Sequence, residues 1–236
     1  MGYEPMNESW QMAGERHETL GQYVAKTYLW MFAGLLVTFG IALAGYVTGA
    51  ILYVFQVPYA TLALTGLELL TVIWLSARIH KLSVGAARGL FLFYAALNGV
   101  VFSMYFLIFG VVEMVFVFAA TALFFGMMAG VSLIFKLDLS GIRPLLVGGL
   151  LFLILFGLLS MFLNLGSFET VLCYAGIVVF LGFTAYDTTK IRDNYQIFSA
   201  DPALLQKASV FSALQLYLDF INLFLYIIRL MNRNRK

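Results

Sequence analysis

Charged side chains are scarce in this chain of 236 residues, and their scarcity excludes an ordinary soluble domain. Asp, Glu, Lys and Arg make up 11% of the sequence, whereas about a quarter of the residues are charged in an average soluble domain. Hydrophobic residues make up 62%. The composition therefore predicts an integral membrane protein whose first partner is the lipid bilayer, and it gives no reason to expect a nucleic-acid partner.

Cysteine is almost absent as well. Cys173 is the single cysteine of the sequence, so an internal disulfide framework and a cysteine cluster for a metal are both excluded. His17 and His80 lack the spacing of metal ligands. We therefore predict no resident cofactor.

Long apolar runs are what the sequence has in abundance. They reach the roughly 20 residues that a spanning helix needs and lack the alternating pattern of an outer-membrane barrel. The predicted fold class is an all-α polytopic membrane protein with seven transmembrane helices. The predicted spans cover approximately residues 23–49, 58–78, 89–109, 114–135, 144–163, 170–188 and 210–231.

These spans predict three regions along the chain. They are a cytoplasmic N-terminal tail over residues 1–22, a transmembrane domain over residues 23–232 and a short basic end over residues 233–236. Lysine and arginine fall in the tail and in the loops after spans 2, 4 and 6, which predicts a cytoplasmic N-terminus and an external C-terminus. Because basic residues are usually cytoplasmic, the basic end fits an external position less well. A re-entrant final segment, which would not cross the membrane, therefore stays an alternative.

A carboxylate interrupts the last apolar run. Ionised Asp219 would cost about 3 kcal/mol at this depth, so it is predicted to face protein, water or an ion path. Asp187, near the cytoplasmic end of span 6, is its predicted partner, because antiparallel neighbours bring their cytoplasmic halves level. Two carboxylates about 4 Å apart repel by roughly 4 kcal/mol at an effective dielectric near 20, so such a pair would share one proton near neutral pH.

A basic residue on the same side completes the predicted switch. Arg78 ends span 2, and its guanidinium would bridge or release a carboxylate according to whether the pair holds its proton. Lys81 and Arg88 are the alternatives for this role. A latch of this kind would control an aqueous path that attracts cations. Because two carboxylates do not supply the six to eight oxygens of a tight calcium site, calcium at Asp187 and Asp219 would be transient.

Simpler interpretations exist for each of these residues. Asp187 would also fit a solvated helix end, Asp219 a structural hydrogen bond between helices, and Arg78 a positive-inside anchor. Glu68 lies close to the centre of span 2 and would either line the outer half of a pore or sit protonated in a packed interface.

Two segments carry a family resemblance. Ala185-Tyr186-Asp187-Thr188 and the nine residues Leu216 to Phe224, LYLDFINLF, resemble the most characteristic pieces of the Bax-inhibitor family, the transmembrane Bax-inhibitor-motif proteins, and of its bacterial branch in particular. Tyr28-Leu29-Trp30-Met31 at the start of span 1 extends the likeness, which runs from about Leu20 onward. The resemblance implies a central last helix wrapped by six others and a bacterial inner-membrane location.

The same resemblance implies a pH-sensitive calcium leak with an aspartate pair and an arginine partner, roles that fall on Asp187, Asp219 and Arg78. The leading prediction is thus a calcium-permeable leak channel and not an enzyme, with calcium as the permeant ion. The alternatives are an ion-coupled transporter and a modulator of another membrane protein, such as a membrane protease that engages the N-terminal tail. An intramembrane hydrolase is the least favoured, because no substrate-gating motif accompanies the acids.

Overall fold

The computed structural model describes residues 18–78, 81–135, 138–163 and 168–233. Helices dominate these residues, and a short 3-10 turn, Ser140–Ile142, precedes the sixth of them. The α helices of the described residues are α1 Leu20–Val47, α2 Ala50–Gln56, α3 Ala60–Arg78, α4 Val84–Phe109, α5 Val111–Phe135, α6 Arg143–Leu163, α7 Glu169–Phe198 and α8 Pro202–Arg233.

Within the described residues, six helices are long and apolar enough to cross a membrane. They are α1, α4, α5, α6, α7 and α8. The prediction of an all-α polytopic membrane protein is confirmed to this extent. Helix α3, which carries Glu68 near its middle, is not among the six, so a count of seven spans stays a prediction.

Polar caps begin three of the helices on the predicted cytoplasmic side. Thr19 and Gln22 form a capping box at the start of α1, and the Ser83 side chain accepts a hydrogen bond from an amide in the first turn of α4. The Asp201 carboxylate accepts two such bonds from α8, and Pro202 stands at the first helical position. Side-chain oxygens thus satisfy amides that the helix itself leaves unpaired.

The structure differs from the predicted helix ends in two places. Span 6 was predicted to end near Thr188, to continue as helix for a turn or two and to lead into a linker from Lys190 to about Lys207, but α7 continues to Phe198 and α8 begins at Pro202. The polar extension stays helical because it packs on its neighbour, as the 3.0 Å hydrogen bond from the Asn194 amide to the Ser212 hydroxyl shows. The predicted loop after span 1 contains the short helix α2, which follows Gly49 with its positive φ of 71°.

Parts of other predictions lie outside the described residues. They are most of the N-terminal tail (residues 1–17), His80, part of the turn between spans 5 and 6 (residues 164–167) and the end of the chain (residues 234–236).

The last helix occupies the interior of the bundle. Helix α8 packs against α1, α4, α5 and α7, and 61% of its most apolar segment is buried, the largest share among the six described spans. The Phe224 ring lies 5.5 Å from that of Phe39 and 5.4 Å from that of Phe102, centre to centre. This packing matches the central position expected for the last helix, and it places Asp219 inside the protein.

Candidate functional site

Asp187 of α7 and Asp219 of α8 lie together in the interior of the bundle. Their exposed fractions are 6% and 5%, and their carboxyl groups are hydrogen-bonded to each other. Ionised carboxylates only accept hydrogen bonds, so one member of the pair must carry a proton in this conformation. The structure thus brings together the two acids that the sequence predicted to meet, and the helix-end alternative for Asp187 does not describe its surroundings.

One oxygen of the pair is left without a partner. The Oδ2 atom of Asp219 is buried and has no hydrogen-bond partner among the described residues. A buried acceptor in this situation costs about 1–3 kcal/mol relative to a satisfied one. The Oδ2 atom is therefore an open acceptor that a water molecule, a hydroxyl group or a cation would stabilise.

Helix α1 closes a further side of the pair. The Tyr28 hydroxyl lies 3.0 Å from the hydroxyl of Thr188, which follows Asp187 in the chain. Nearby, the Thr27 and Ser209 hydroxyls are 3.0 Å apart and buried. Sequence reasoning used Tyr28 only as part of the family resemblance and missed this contact, because a tyrosine at a span end is common in membrane helices.

A second polar contact links three helices within the bundle. The Thr38 hydroxyl of α1 donates to the Ala95 carbonyl of α4 at 2.8 Å, so the Tyr217 hydroxyl of α8, 2.7 Å away, donates to Thr38. Tyr217 is fully buried and lies two residues before Asp219. This bond fixes the rotation of α8 about its axis and thereby the direction in which Asp219 points.

Glu68 lies on the inward side of α3. Its Oε1 atom is buried without a hydrogen-bond partner among the described residues. Both sequence interpretations of Glu68, as a pore-lining acid and as a protonated interface residue, require this inward direction.

The basic residues are placed differently from the prediction. Arg78 ends α3 with an exposed side chain, and it has no hydrogen bond or ion pair to Asp187 or Asp219 in the described structure. The charges that act on Asp187 are those of Lys190 and Arg143. The predicted contact of Arg78 with the pair is thus absent from this conformation, and its part in a latch stays a prediction.

The two alternatives to Arg78 do not replace it. Lys81 is exposed. The Arg88 guanidinium stacks over the Trp30 ring at 4.9 Å and donates to the Gln206 side chain at 3.3 Å. Arg88 therefore joins α4 to α1 and α8, and nothing in these contacts directs it to the aspartate pair.

The described residues contain no group of three or more His, Cys, Asp and Glu side chains that could hold a metal ion. The aspartate pair offers at most four carboxyl oxygens, so a calcium ion there would keep water or backbone oxygens among its ligands. Such an arrangement suits brief contact with a passing ion.

Comparison with known proteins places these residues in a family. The family model Bax1-I, described as inhibitor of apoptosis-promoting Bax1, matches residues 20–236. The chain belongs to the Bax1-I family. Membership confirms the resemblance carried by the segments around Asp187 and Asp219. The match to the family model covers all the helices described above.

Bacterial relatives of this Bax1-I protein cover nearly the whole chain. The inner membrane protein YbhL of Escherichia coli K12 is 37% identical over 218 residues, which are 92% of this chain and 93% of YbhL. An uncharacterized protein of Deinococcus radiodurans is 34% identical and covers 94% of this chain and 96% of its own length. An uncharacterized protein of Borreliella burgdorferi is 32% identical, and the alignment covers 94% of this chain and 97% of that relative.

Proposed function

We propose that this Bax1-I protein is a pH-sensitive, calcium-permeable leak channel of the bacterial inner membrane and not an enzyme. The observation that supports this function is the hydrogen bond between the buried carboxyl groups of Asp187 and Asp219, beside an Asp219 oxygen with no partner among the described residues. Ionisable groups inside membrane proteins commonly mark ion or proton paths.

The proton shared by the pair holds α7 and α8 together in the closed state. Loss of that proton leaves two negative charges side by side, whose repulsion is roughly 4 kcal/mol at 4 Å and an effective dielectric near 20. The helices reduce this repulsion by separating or by admitting a cation. Since the closed state binds one proton more than the open state, lowering the pH favours closure and raising the pH favours the leak.

The ionised pair gives the path its preference for cations. Two carboxylates attract a divalent ion but leave most of its coordination to water, so calcium enters and leaves without being trapped. We propose calcium as the permeant ion and no resident cofactor. Arg78 makes no ion pair with either aspartate in the described structure, and its part in the latch is proposed for the ionised pair, whereas the charges of Lys190 and Arg143 contribute at Asp187 in the present conformation.

The proposed arrangement in the membrane has seven spans, with α3 as the additional one. Helix α3 has 19 residues, which at 1.5 Å per residue extend over about 28 Å, close to the thickness of the hydrocarbon core. The N-terminus then lies in the cytoplasm and the C-terminus outside. The inner membrane is proposed because the name of YbhL places that relative there.

Liposomes that contain this protein and no other test the function directly. Calcium-loaded liposomes that contain the protein should lose calcium faster than calcium-loaded liposomes without protein. The rate of calcium loss should increase as the pH of the bath is raised. Asp187→Asn and Asp219→Asn should each remove the dependence on pH, because an amide does not ionise. Saturable counterflow of calcium against protons would instead favour an ion-coupled transporter.

Asp201→Asn is the matched control for these variants. Asp201 is an exposed acid that caps α8, and asparagine caps helices equally well. Its pH profile should equal that of the wild type. The proposal would be overturned if calcium loss were no faster than from protein-free liposomes. It would also be overturned if Asp187→Asn and Asp219→Asn both kept the full dependence on pH.

A further inference from the structure

A polar cavity of about 210 Å³ lies at the predicted cytoplasmic end of α7. Its walls come from two elements. Helix α7 contributes Tyr186, Thr189, Lys190 and Asp193, and the segment Asp138–Ser140 before α6 closes the other side. Asp187 directly follows Tyr186 in the chain, so the cavity begins within one helical turn of the pair. The gating mechanism above does not use this cavity.

Lys190 lines the cavity and lies three residues after Asp187 on α7. Its ammonium nitrogen lies 3.7 Å from the Asp193 carboxylate and 5.8 Å from the centre of the Tyr186 ring. The same charge acts on Asp187. Both members of the Lys190 and Asp193 ion pair are solvent-accessible, and ion pairs of this kind contribute about 0–1 kcal/mol, so the ammonium group is free to exchange partners.

The other positive charge of the cavity is held in place. The Arg192 guanidinium donates to the carbonyl of Leu133 near the end of α5 at 3.1 Å. This bond joins α7 to α5 at the base of the cavity. Lys190 is therefore the mobile cation of the cavity wall.

A negative charge stands on the opposite wall. The Asp138 carboxylate accepts a hydrogen bond from the Ser140 amide at 3.1 Å, and the hydrogen bonds from Ser140 lower the pKa of Asp138 below its ordinary value. These hydrogen bonds therefore favour the ionised form of Asp138. Together with Asp193 it gives the mouth of the cavity two carboxylates on two separate elements.

We propose that this cavity is the aqueous vestibule through which a hydrated cation passes between the cytoplasm and the Asp187–Asp219 pair. The proposal rests on the leak function proposed above. Asp138 and Asp193 attract the cation at the mouth. The charge of Lys190 opposes its further passage, and the ring of Tyr186 forms the floor that must move before the ion reaches Asp187.

Charge variants of the vestibule should change the rate of the leak. A unit charge about 4 Å from a divalent ion such as calcium changes the local concentration of that ion about thirtyfold in water. At a pH at which Asp187 and Asp219 are both ionised, so that the change does not alter gating, Lys190→Gln should therefore raise the rate about thirtyfold at low ionic strength, with Lys190→Arg as the control that keeps the charge. Asp193→Asn should lower the rate, and the effects should shrink at high salt because exposed charges are screened.

Chemical modification of single cysteines provides the decisive test. The one native cysteine, Cys173, is replaced by serine, and Ser140→Cys or Thr189→Cys is introduced into the full chain. After reconstitution, a membrane-impermeant cationic methanethiosulfonate is applied and calcium loss is measured. Modification at either position should reduce the calcium leak about thirtyfold at low ionic strength, because it places a bulky positive group inside the vestibule.

Ser199→Cys is the matched control, since Ser199 is an exposed residue at the end of α7 that does not line the cavity. Its modification should leave the leak unchanged. Complete modification of Ser140→Cys and Thr189→Cys without loss of flux would overturn the vestibule while the leak itself stands. Absence of calcium loss from the unmodified protein would overturn the leak and the vestibule together.

Discussion

Helices α8 and α6 show opposite relations between hydrophobicity and burial. In α8, which carries Asp219 and several buried hydroxyl groups, 61% of the most apolar segment is buried. In α6 the corresponding figure is 11%, although that helix is the more apolar of the two. In a bilayer the lipid is as apolar as a protein core, so a strongly apolar helix gains little from burial and a helix with polar groups needs protein around it.

The first prediction sets the interior of α8 against the surface of α6. Phe224→Ala removes a fully buried ring that packs on Phe39 and Phe102, and the cavity left behind should cost about 3 kcal/mol of stability. Phe152→Ala in α6 removes a ring that is 53% exposed and should cost much less. Thermal unfolding of the two purified variants in detergent checks the difference, and equal losses would show that α6 is also buried, for example against a second copy.

The second prediction compares glycines. A Cβ atom on Gly176 of α7 would lie 2.5 Å from the ring of Tyr226 on α8, whereas one on Gly157 of α6 would meet nothing within 4 Å. Gly176→Ala should therefore lower stability by about 1–3 kcal/mol, as overpacking does.

Gly157→Ala serves as the control for that variant and should be neutral or slightly stabilising, since alanine favours the helix. The denaturation midpoints of Gly176→Ala and Gly157→Ala, measured under the same conditions, test this difference in stability. A neutral Gly176→Ala would mean that α7 and α8 are not packed as closely as described.

The third prediction concerns hydroxyl groups and has the smallest expected effect. Thr38→Val removes the bonds to Tyr217 and Ala95, which connect three helices, and should cost about 0.6 kcal/mol, the average for such bonds in membranes. Ser160 of α6 donates to the Gly157 carbonyl of its own helix. Ser160→Ala should therefore leave the unfolding midpoint unchanged, and a larger loss there than in Thr38→Val would contradict the assignment of α8 to the interior.

The comparison also explains which parts of the site were predictable from sequence. Asp219 stood out because a carboxylate in an apolar run is costly, and Asp187 followed from its level on the neighbouring helix. The buried hydroxyl contacts gave no such signal. The Thr27 hydroxyl, for example, donates to the Tyr23 carbonyl of its own helix and is also hydrogen-bonded to the Ser209 hydroxyl of α8. The sequence alone does not show which of these partners a threonine will take.

The remaining differences between prediction and structure have physical causes too. Helix α7 was predicted to continue only a turn or two beyond Thr188, because hydropathy marks where lipid ends and not where a helix ends. The helix continues to Phe198. Arg78 was assigned to the pair from its position on the same side of the membrane. That position sets only the depth of a residue; in this conformation the side chain is exposed and makes no ion pair with either aspartate in the described structure.

The central claim is that Asp187 and Asp219 share a proton in the closed state, and infrared spectroscopy measures that proton directly. In a Glu68→Gln background, which removes the half-buried acid of α3, the carbonyl absorption of a protonated carboxyl group should be present at mildly acidic pH, above the range in which exposed carboxyl groups take up protons. It should disappear over the pH range in which the calcium leak rises, and it should be absent from the Asp187→Asn/Asp219→Asn double variant. A band that persists in the double variant, or a leak that rises while the band is unchanged, would contradict the account.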